Sequence, residues 1–153
     1  MTYVLDTNTL SALMRGDAHV MAALARAGRE NVRLPQPVLA EIEYGIERLP
    51  RSKRKDALRA RFELLCSELG RAEWSDAVSA VFGSIKAALE RKGTRIEDFD
   101  AAIAAHALAR DAILVTANLD DMVRIPGLVV AFVTPGSTFS VIFVSEADCG
   151  REG

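Results

Sequence analysis

Tyr3-Val4-Leu5-Asp6-Thr7-Asn8-Thr9-Leu10 is a short apolar run that stops abruptly on a carboxylate followed by three small polar residues. An aromatic, a β-branched residue and a leucine in succession predict a strand buried on both faces, which puts Asp6 at the strand's carboxyl end. In open α/β sheets that edge is where ligands bind, because the βα loops diverge there and helix N-termini point into the crevice. Asp6 is therefore a candidate functional group. Its plain alternative is N-capping of a helix that begins near Asn8, a job for which Asp, Thr and Asn are all suited.

The chain behind this strand has 153 residues, half of them hydrophobic, which is enough material for a single core. One domain is expected over residues 1–144, with a polar tail over 145–153 that should fray. The sequence has neither a charged leader with a long apolar run nor an apolar stretch long enough to span a bilayer, so the expectation is a cytoplasmic protein with no membrane association. Its two cysteines, Cys66 and Cys149, lack CxxC or Cys/His spacing and read as reduced thiols. A net charge of −2 argues against binding polyanions by charge alone. The distribution is less even: residues 48–61 hold seven basic residues and one acid, Asp56. Such a run is commonly a solvated helix face. Its functional reading is an electrostatic track for phosphates along Arg51, Lys53, Arg54 and Lys55.

Further along, Leu10, Leu13 and Met14 mark a helical face, and a second helix runs to a C-cap at Gly28. A short strand is expected over Asn31 to Leu34, closed by Pro35 and Pro37. From Val38 the spacing of Leu39, Ile42, Ile46 and Leu49 predicts a helix, with Glu41 in its first turn, where the helix dipole favours a carboxylate. A buried stripe of Phe62, Leu65 and Leu69 leads to Gly70. Another amphipathic helix is expected from Trp74 to Arg91. The alanine-dense helix that follows opens with two acids: Asp98 is read as its N-cap, and Asp100 as the acid aimed at the crevice. His106 reads as a packing or supporting residue, since only two histidines are present and no histidine cluster can form. Ala112 to Val115 is the clearest buried strand. It leads into Thr116, Asn118, Asp120 and Asp121, again just past a strand's carboxyl end. Strands are also expected at Leu128 to Val130 and at Val141 to Val144.

Strands alternating with helices define an α/β sandwich with a mostly parallel sheet. Asp6 and Asp121 then follow strands on one edge, while Glu41 and Asp100 lie on helices that start from it. Four converging carboxylates repel one another unless a cation sits among them or some are protonated. All-oxygen ligands select hard ions, Mg²⁺ or Mn²⁺. Such ions activate water and neutralise charge on a phosphodiester, so the expectation is a metal-dependent nuclease. Of the residues after the Thr116 strand, Asp121 is the expected fourth acid and Asn118 a neutral ligand or water-positioning group. Three residues apart in a helical turn, the two project from the same side, with Asp120 turned away. The simpler role for Asp121 is a surface pair with Arg124.

Read together, VLDTN at 4–8, AEIEYG at 40–45, DAAIAAHALA at 100–109, LVTAN at 114–118 and RIPGL at 124–128 resemble the PIN-domain ribonucleases, and specifically the VapC-like toxins of bacterial toxin–antitoxin pairs. The resemblance implies a PIN-like three-layer α/β/α sandwich with a short central sheet. It implies Asp6, Glu41 and Asp100 as acidic-site residues, with Thr7, Asn8 and Thr116 as polar supports. It also implies an RNA substrate, a homodimer, and a cognate VapB-like antitoxin that blocks the site with a basic side chain. The chain departs from the pattern twice: many relatives carry an acid where Asn118 stands, and they often end soon after the strand near Leu128. Two other readings compete. A haloacid-dehalogenase-like phosphatase would need an acid at Asn8, and a catalytically silent binding module would have no use for converging acids.

Overall fold

The computed structural model describes residues 1–133 and the backbone of 139–143. Thus the expected tail at 145–153 and the last residue of the expected strand, Val144, lie outside the described residues. Among those described, six strands form one sheet: β1 (Tyr3–Leu5), β2 (Val32–Pro35), β3 (Gly70–Ala72), β4 (Ile113–Val115), β5 (Val129–Val133) and β6 (Phe139–Phe143). Their spatial order is β3-β2-β1-β4-β5-β6. The first five are parallel, and β6 runs antiparallel to β5.

Four helices lie on the way from β1 to β3: α1 (Thr7–Met14), α2 (Ala18–Ala27), α3 (Gln36–Glu47) and α4 (Lys53–Glu68). Three more follow on the way to β5: α5 (Asp76–Arg91), α6 (Asp98–Ala109) and α7 (Leu119–Met122). The chain steps outward from β1 to β2 to β3, then returns to add β4 on the other side of β1. Right-handed crossovers therefore place the first four helices on one face and the last three on the other, a three-layer sandwich. The order reverses between β1 and β4, and such a switch point is where an α/β sheet opens a crevice at its carboxyl edge.

The strands are short and buried because helices cover both faces. Val4, Leu5, Leu34 and Leu114 have no exposed surface. Residues 101–107 of α6 are buried all round, and their alanines let α6 lie close against α5, β1 and β4. On α4, by contrast, only Phe62 is buried, so the helix covers the core from outside.

Several local expectations need correction. Helix α3 begins at Gln36 rather than Val38, because Pro35 ends β2 and Pro37 fits the first helical turn, so Glu41 falls in the second turn. Glu97, not Asp98, occupies the N-cap of α6 and makes no side-chain cap bond. Asp98 instead pairs with Lys86 of α5 at 3.1 Å. Helix α5 starts at Asp76 behind the Ser75 cap, leaving Trp74 outside it. Strand β3 was not expected, since Gly70 and Arg71 have little strand character. Its pairing with β2 imposes it, and the absence of a Cβ at Gly70 makes room for the guanidinium of Arg33, its partner in register.

Candidate active site

At the β1/β4 switch point the end of β1 is tied to the end of β4. The Asp6 N–H donates to the Val115 carbonyl at 3.1 Å, and so does the Thr9 hydroxyl at 3.1 Å. Asp6 is 5% exposed, and its Oδ1 accepts the Thr9 N–H at 2.8 Å as the N-cap of α1. The capping alternative for Asp6 is therefore present, but it occupies one oxygen only. The Asp-x-x-Thr spacing was a usable signal for Thr9, a buried polar residue that the sequence reading passed over.

Glu41 reaches the same edge from α3. The Thr7 hydroxyl donates to its Oε1 at 2.6 Å, a short bond of the kind a carboxylate acceptor produces. That bond, rather than the helix dipole, holds Glu41 in the second turn of α3. Asp100 comes from the first turn of α6 on the opposite face. From the end of β4, Thr116 is buried and its Oγ1 accepts the Asn118 N–H at 2.9 Å. The Asn118 side-chain amide then donates to Asp121 Oδ2 at 3.1 Å, so these two residues do share one side of the turn. Asp121 Oδ1 also lies 3.4 Å from Arg124 Nη1, the surface pairing anticipated as the simpler role.

Electrostatically the centre of the group is Asp100. Its carboxyl is pushed up to about 6, first by burial and then by the negative charges of Glu41, Asp121, Asp6 and Glu97. Asp100 thus feels carboxylates from the end of β1, from α3, from α7 and from its own N-cap, with Asp121 and not Asp120 among them. Among the described residues no three His, Cys, Asp or Glu side chains stand close enough to close a metal-ligand shell by themselves. Hard divalent ions do not require that, since Mg²⁺ commonly takes one or two carboxylates and keeps several waters. An all-oxygen, acid-rich and partly buried crevice fits such an ion.

The basic run divides in two. Lys55 donates from Nζ to the carbonyls of Glu47 and Leu49 at 3.2 and 3.1 Å and so finishes the end of α3. Arg59 is paired with Glu43 at 2.7 Å. Arg51, Lys53 and Arg54 are exposed. His106 is a packing residue: it is fully buried on α6, neither ring nitrogen has a hydrogen-bond partner, and its ring meets Trp74 edge-on at 5.4 Å. Burial, aided by Arg110, pulls its pKa down to about 4.

Residues 3–128 match the PIN domain. The chain is 31% identical over 131 residues to ribonuclease VapC2 of Rickettsia felis, an alignment covering 84% of this chain and 96% of that protein. It is 29% identical over 128 residues to the tRNA(fMet)-specific endonuclease VapC of Salmonella typhimurium, covering 84% and 95%. Among solved structures it resembles the Rickettsia felis VapBC2 complex bound to a promoter DNA fragment, with a TM-score of 0.79, 30% identity, and coverage of 86% of this chain and 98% of that one. No helix among the described residues is long and apolar enough to cross a membrane. The phosphatase reading falls with these matches: the chain belongs to the PIN-domain family, among its VapC-like ribonucleases.

Proposed function

We propose that this protein is an Mg²⁺- or Mn²⁺-dependent endoribonuclease, the toxin of a toxin–antitoxin pair, which a cognate VapB-like antitoxin silences. The observation that supports this reading is the gathering of acids at the carboxyl edge of the sheet: Asp6 at the end of β1, Glu41 from α3 and Asp121 from α7 all act on the half-buried Asp100 of α6, and such a group favours a cation. The family supplies the substrate class. A cytoplasmic location and a homodimeric toxin complete the proposal.

In this reading one or two of Asp6, Asp100 and Asp121 would hold the metal directly and the rest through bound water, with Asn118 as a neutral ligand or water-positioning group. When bound, the ion neutralises charge building on the scissile phosphate and makes a bound water more acidic. Glu41, steadied at Oε1 by Thr7, keeps Oε2 for a proton from the attacking water. Asn8, exposed one residue further on, is free to reach a substrate oxygen. Thr116 fixes the backbone at Asn118 and so sets where the Asn118–Asp121 pair stands. Arg51, Lys53 and Arg54 draw the RNA strand in. Lys55, busy with two carbonyls, contributes less than the sequence alone suggested.

The test is cleavage of RNA by the purified protein. Activity should require Mg²⁺ or Mn²⁺, stop in excess chelator, and vanish in Asp6→Asn and Asp100→Asn while circular dichroism stays native. Cleavage that persists in chelator or in either variant refutes the mechanism. A wild-type protein that binds RNA but never cuts it would instead favour the silent binding module.

A further inference from the structure

A second pocket opens beside the acid crevice, between α1 and the carboxyl ends of β4 and β5, with a volume of about 510 Å³. That is within the range of about 300–1,000 Å³ usual for pockets that hold small organic ligands. Thr9 and Val115 line it and also bond Asp6, through the Thr9 N–H and the Val115 carbonyl, so the pocket adjoins the crevice. Ala12, Leu119 and Phe132 give it an apolar lining with one aromatic face. Arg15, the C-cap of α1, stands exposed in the lining. Its Nη1 donates to the Ser11 hydroxyl at 3.1 Å, and no carboxylate among the described residues pairs with it. The one acid in the lining, Asp17, is occupied at Oδ1 by the N–H groups of His19 and Val20 as the cap of α2.

We infer that this pocket is a nucleotide subsite, holding one unpaired base of the RNA strand next to the scissile phosphate. The inference rests on the ribonuclease reading of the neighbouring crevice. Four carboxylates repel the phosphates on either side of the one being cut, so a strand lying across them needs a cation just outside the acid group. Arg15 is that cation, and its guanidinium suits a phosphate. Single-stranded RNA is commonly read by splaying a base out of the strand onto an aromatic ring and hydrogen-bonding its edge. Phe132 supplies the ring, and the exposed Asn8 supplies the polar group for the edge. The pocket therefore selects which base precedes or follows the cut, whereas the acids perform the cut.

Two kinds of variant test this, with melting curves to verify the fold. Arg15→Ala removes the cation, and Arg15→Lys keeps the charge without the fork. Ala12→Leu fills the pocket without touching a charge. The measurements are binding of fluorescein-labelled single-stranded RNA of mixed sequence in excess chelator, steady-state cleavage in Mg²⁺, and sequencing of the cleaved ends. Arg15→Ala should weaken binding about tenfold, raise KM more than it lowers kcat, and reduce the salt slope by about 0.7, the value for one phosphate contact on a single strand. Arg15→Lys should restore the salt slope. Ala12→Leu should leave the slope alone and change the base found beside the cut. Unchanged binding, KM and cleavage sequences in both Arg15→Ala and Ala12→Leu overturn the inference, even if the wild type cleaves RNA. So does a wild type that binds no RNA, or a pair of variants that lose only antitoxin affinity, which would make the pocket a protein-docking site. A protein that binds RNA through this pocket in chelator yet never cleaves it would defeat the ribonuclease reading and leave the subsite standing.

Discussion

Replacing Asp100 with asparagine should stabilise the metal-free protein at neutral pH while abolishing its activity. The folded state holds the Asp100 proton to about pH 6, against 3.8 for the free group, a difference of about two pH units. At 1.36 kcal/mol per unit this corresponds to an upper bound of about 3 kcal/mol, which solvent screening at this half-buried site reduces to about 1–2 kcal/mol. The sign follows from proton counts. Between pH 3.8 and 6 the folded state keeps a proton that the unfolded state has lost, so stability falls as pH rises through this window and levels off above it. Asparagine has no proton to lose, so it escapes this penalty at pH 7.

His106 acts in the opposite sense over nearly the same range. Its folded pKa is about 4 against 6.5 for the free ring, so below pH 6.5 the unfolded state takes up a proton that the folded state refuses. Its contribution is fully present above pH 6.5 and is lost as pH falls towards 4. In the wild type the two slopes largely cancel between pH 4 and 6, whereas Asp100→Asn exposes the His106 slope alone. Thermal melts in chelator should therefore show the variant melting higher at pH 7.5, by some 2–8 °C at about 2–4 °C per kcal/mol for a chain of this size. The variant should lose that advantage on acidification, while the wild type stays nearly flat. Adding Mg²⁺ should raise the wild-type melting temperature more than the variant's, since a ligand stabilises only the form that binds it. A variant no more stable than wild type at pH 7.5, with the same pH slope, would show that the crevice does not place the acids in conflict.

Thr7→Val should remove the donor to Glu41 and lower kcat about tenfold with little change in KM, consistent with losing a hydrogen bond to a charged group worth about 1.5–3 kcal/mol; an unchanged kcat would mean that Glu41 needs no tether. Asp121→Asn should raise the Mg²⁺ concentration for half-maximal cleavage well above the value for Asp120→Asn, and equal small effects would return Asp121 to its pairing with Arg124. Charge reversal at Arg51, Lys53 and Arg54 together should weaken RNA binding and flatten its salt dependence, and an unaltered slope would make these residues a solvated face. Sedimentation of the isolated toxin at micromolar concentration should show a dimer; a monomer would refute that part of the proposal.

The sheet was legible where burial was two-sided. Val4 and Leu5, or Ile113 to Val115, are runs that only a covered strand explains, and each ends on the polar residues of the switch point. Strand β3 was not legible, because three residues with one apolar side chain carry no period, and only their parallel pairing with Arg33 to Pro35 of β2 makes them a strand. Helix starts were misread by one or two residues for separate reasons: Pro37 fits inside the first turn of α3, Ser75 caps α5, and Asp98, which looked like a cap, is claimed by Lys86. Of the candidate site, the sequence disclosed the acids and the edge they share, since both follow from strand ends and helix starts. The Thr7–Glu41 bond and the pocket at Arg15 join positions distant in the chain, so no local pattern announces them.

The hydrogen bonds around the acids follow one plan. Asp6 gives Oδ1 to the Thr9 N–H, Glu41 gives Oε1 to the Thr7 hydroxyl, and Asp121 gives Oδ2 to the Asn118 amide. In each case one oxygen orients the carboxylate. Asp6 and Glu41 each keep a second oxygen for the crevice, whereas that of Asp121 is engaged by Arg124, which makes Asp121 the acid that must give up a partner before it can bind a metal. Asp100 is the exception, for among the described residues no donor reaches it, and it is the one whose pKa is raised. A donor at Asp100 would have favoured its charge and relieved the conflict inside the protein. Without one, the relief has to come from outside, from a proton, a divalent ion, or the basic side chain of a partner. These three compete for the same carboxylate, so acidification, metal removal and antitoxin binding should all silence the enzyme at this one residue.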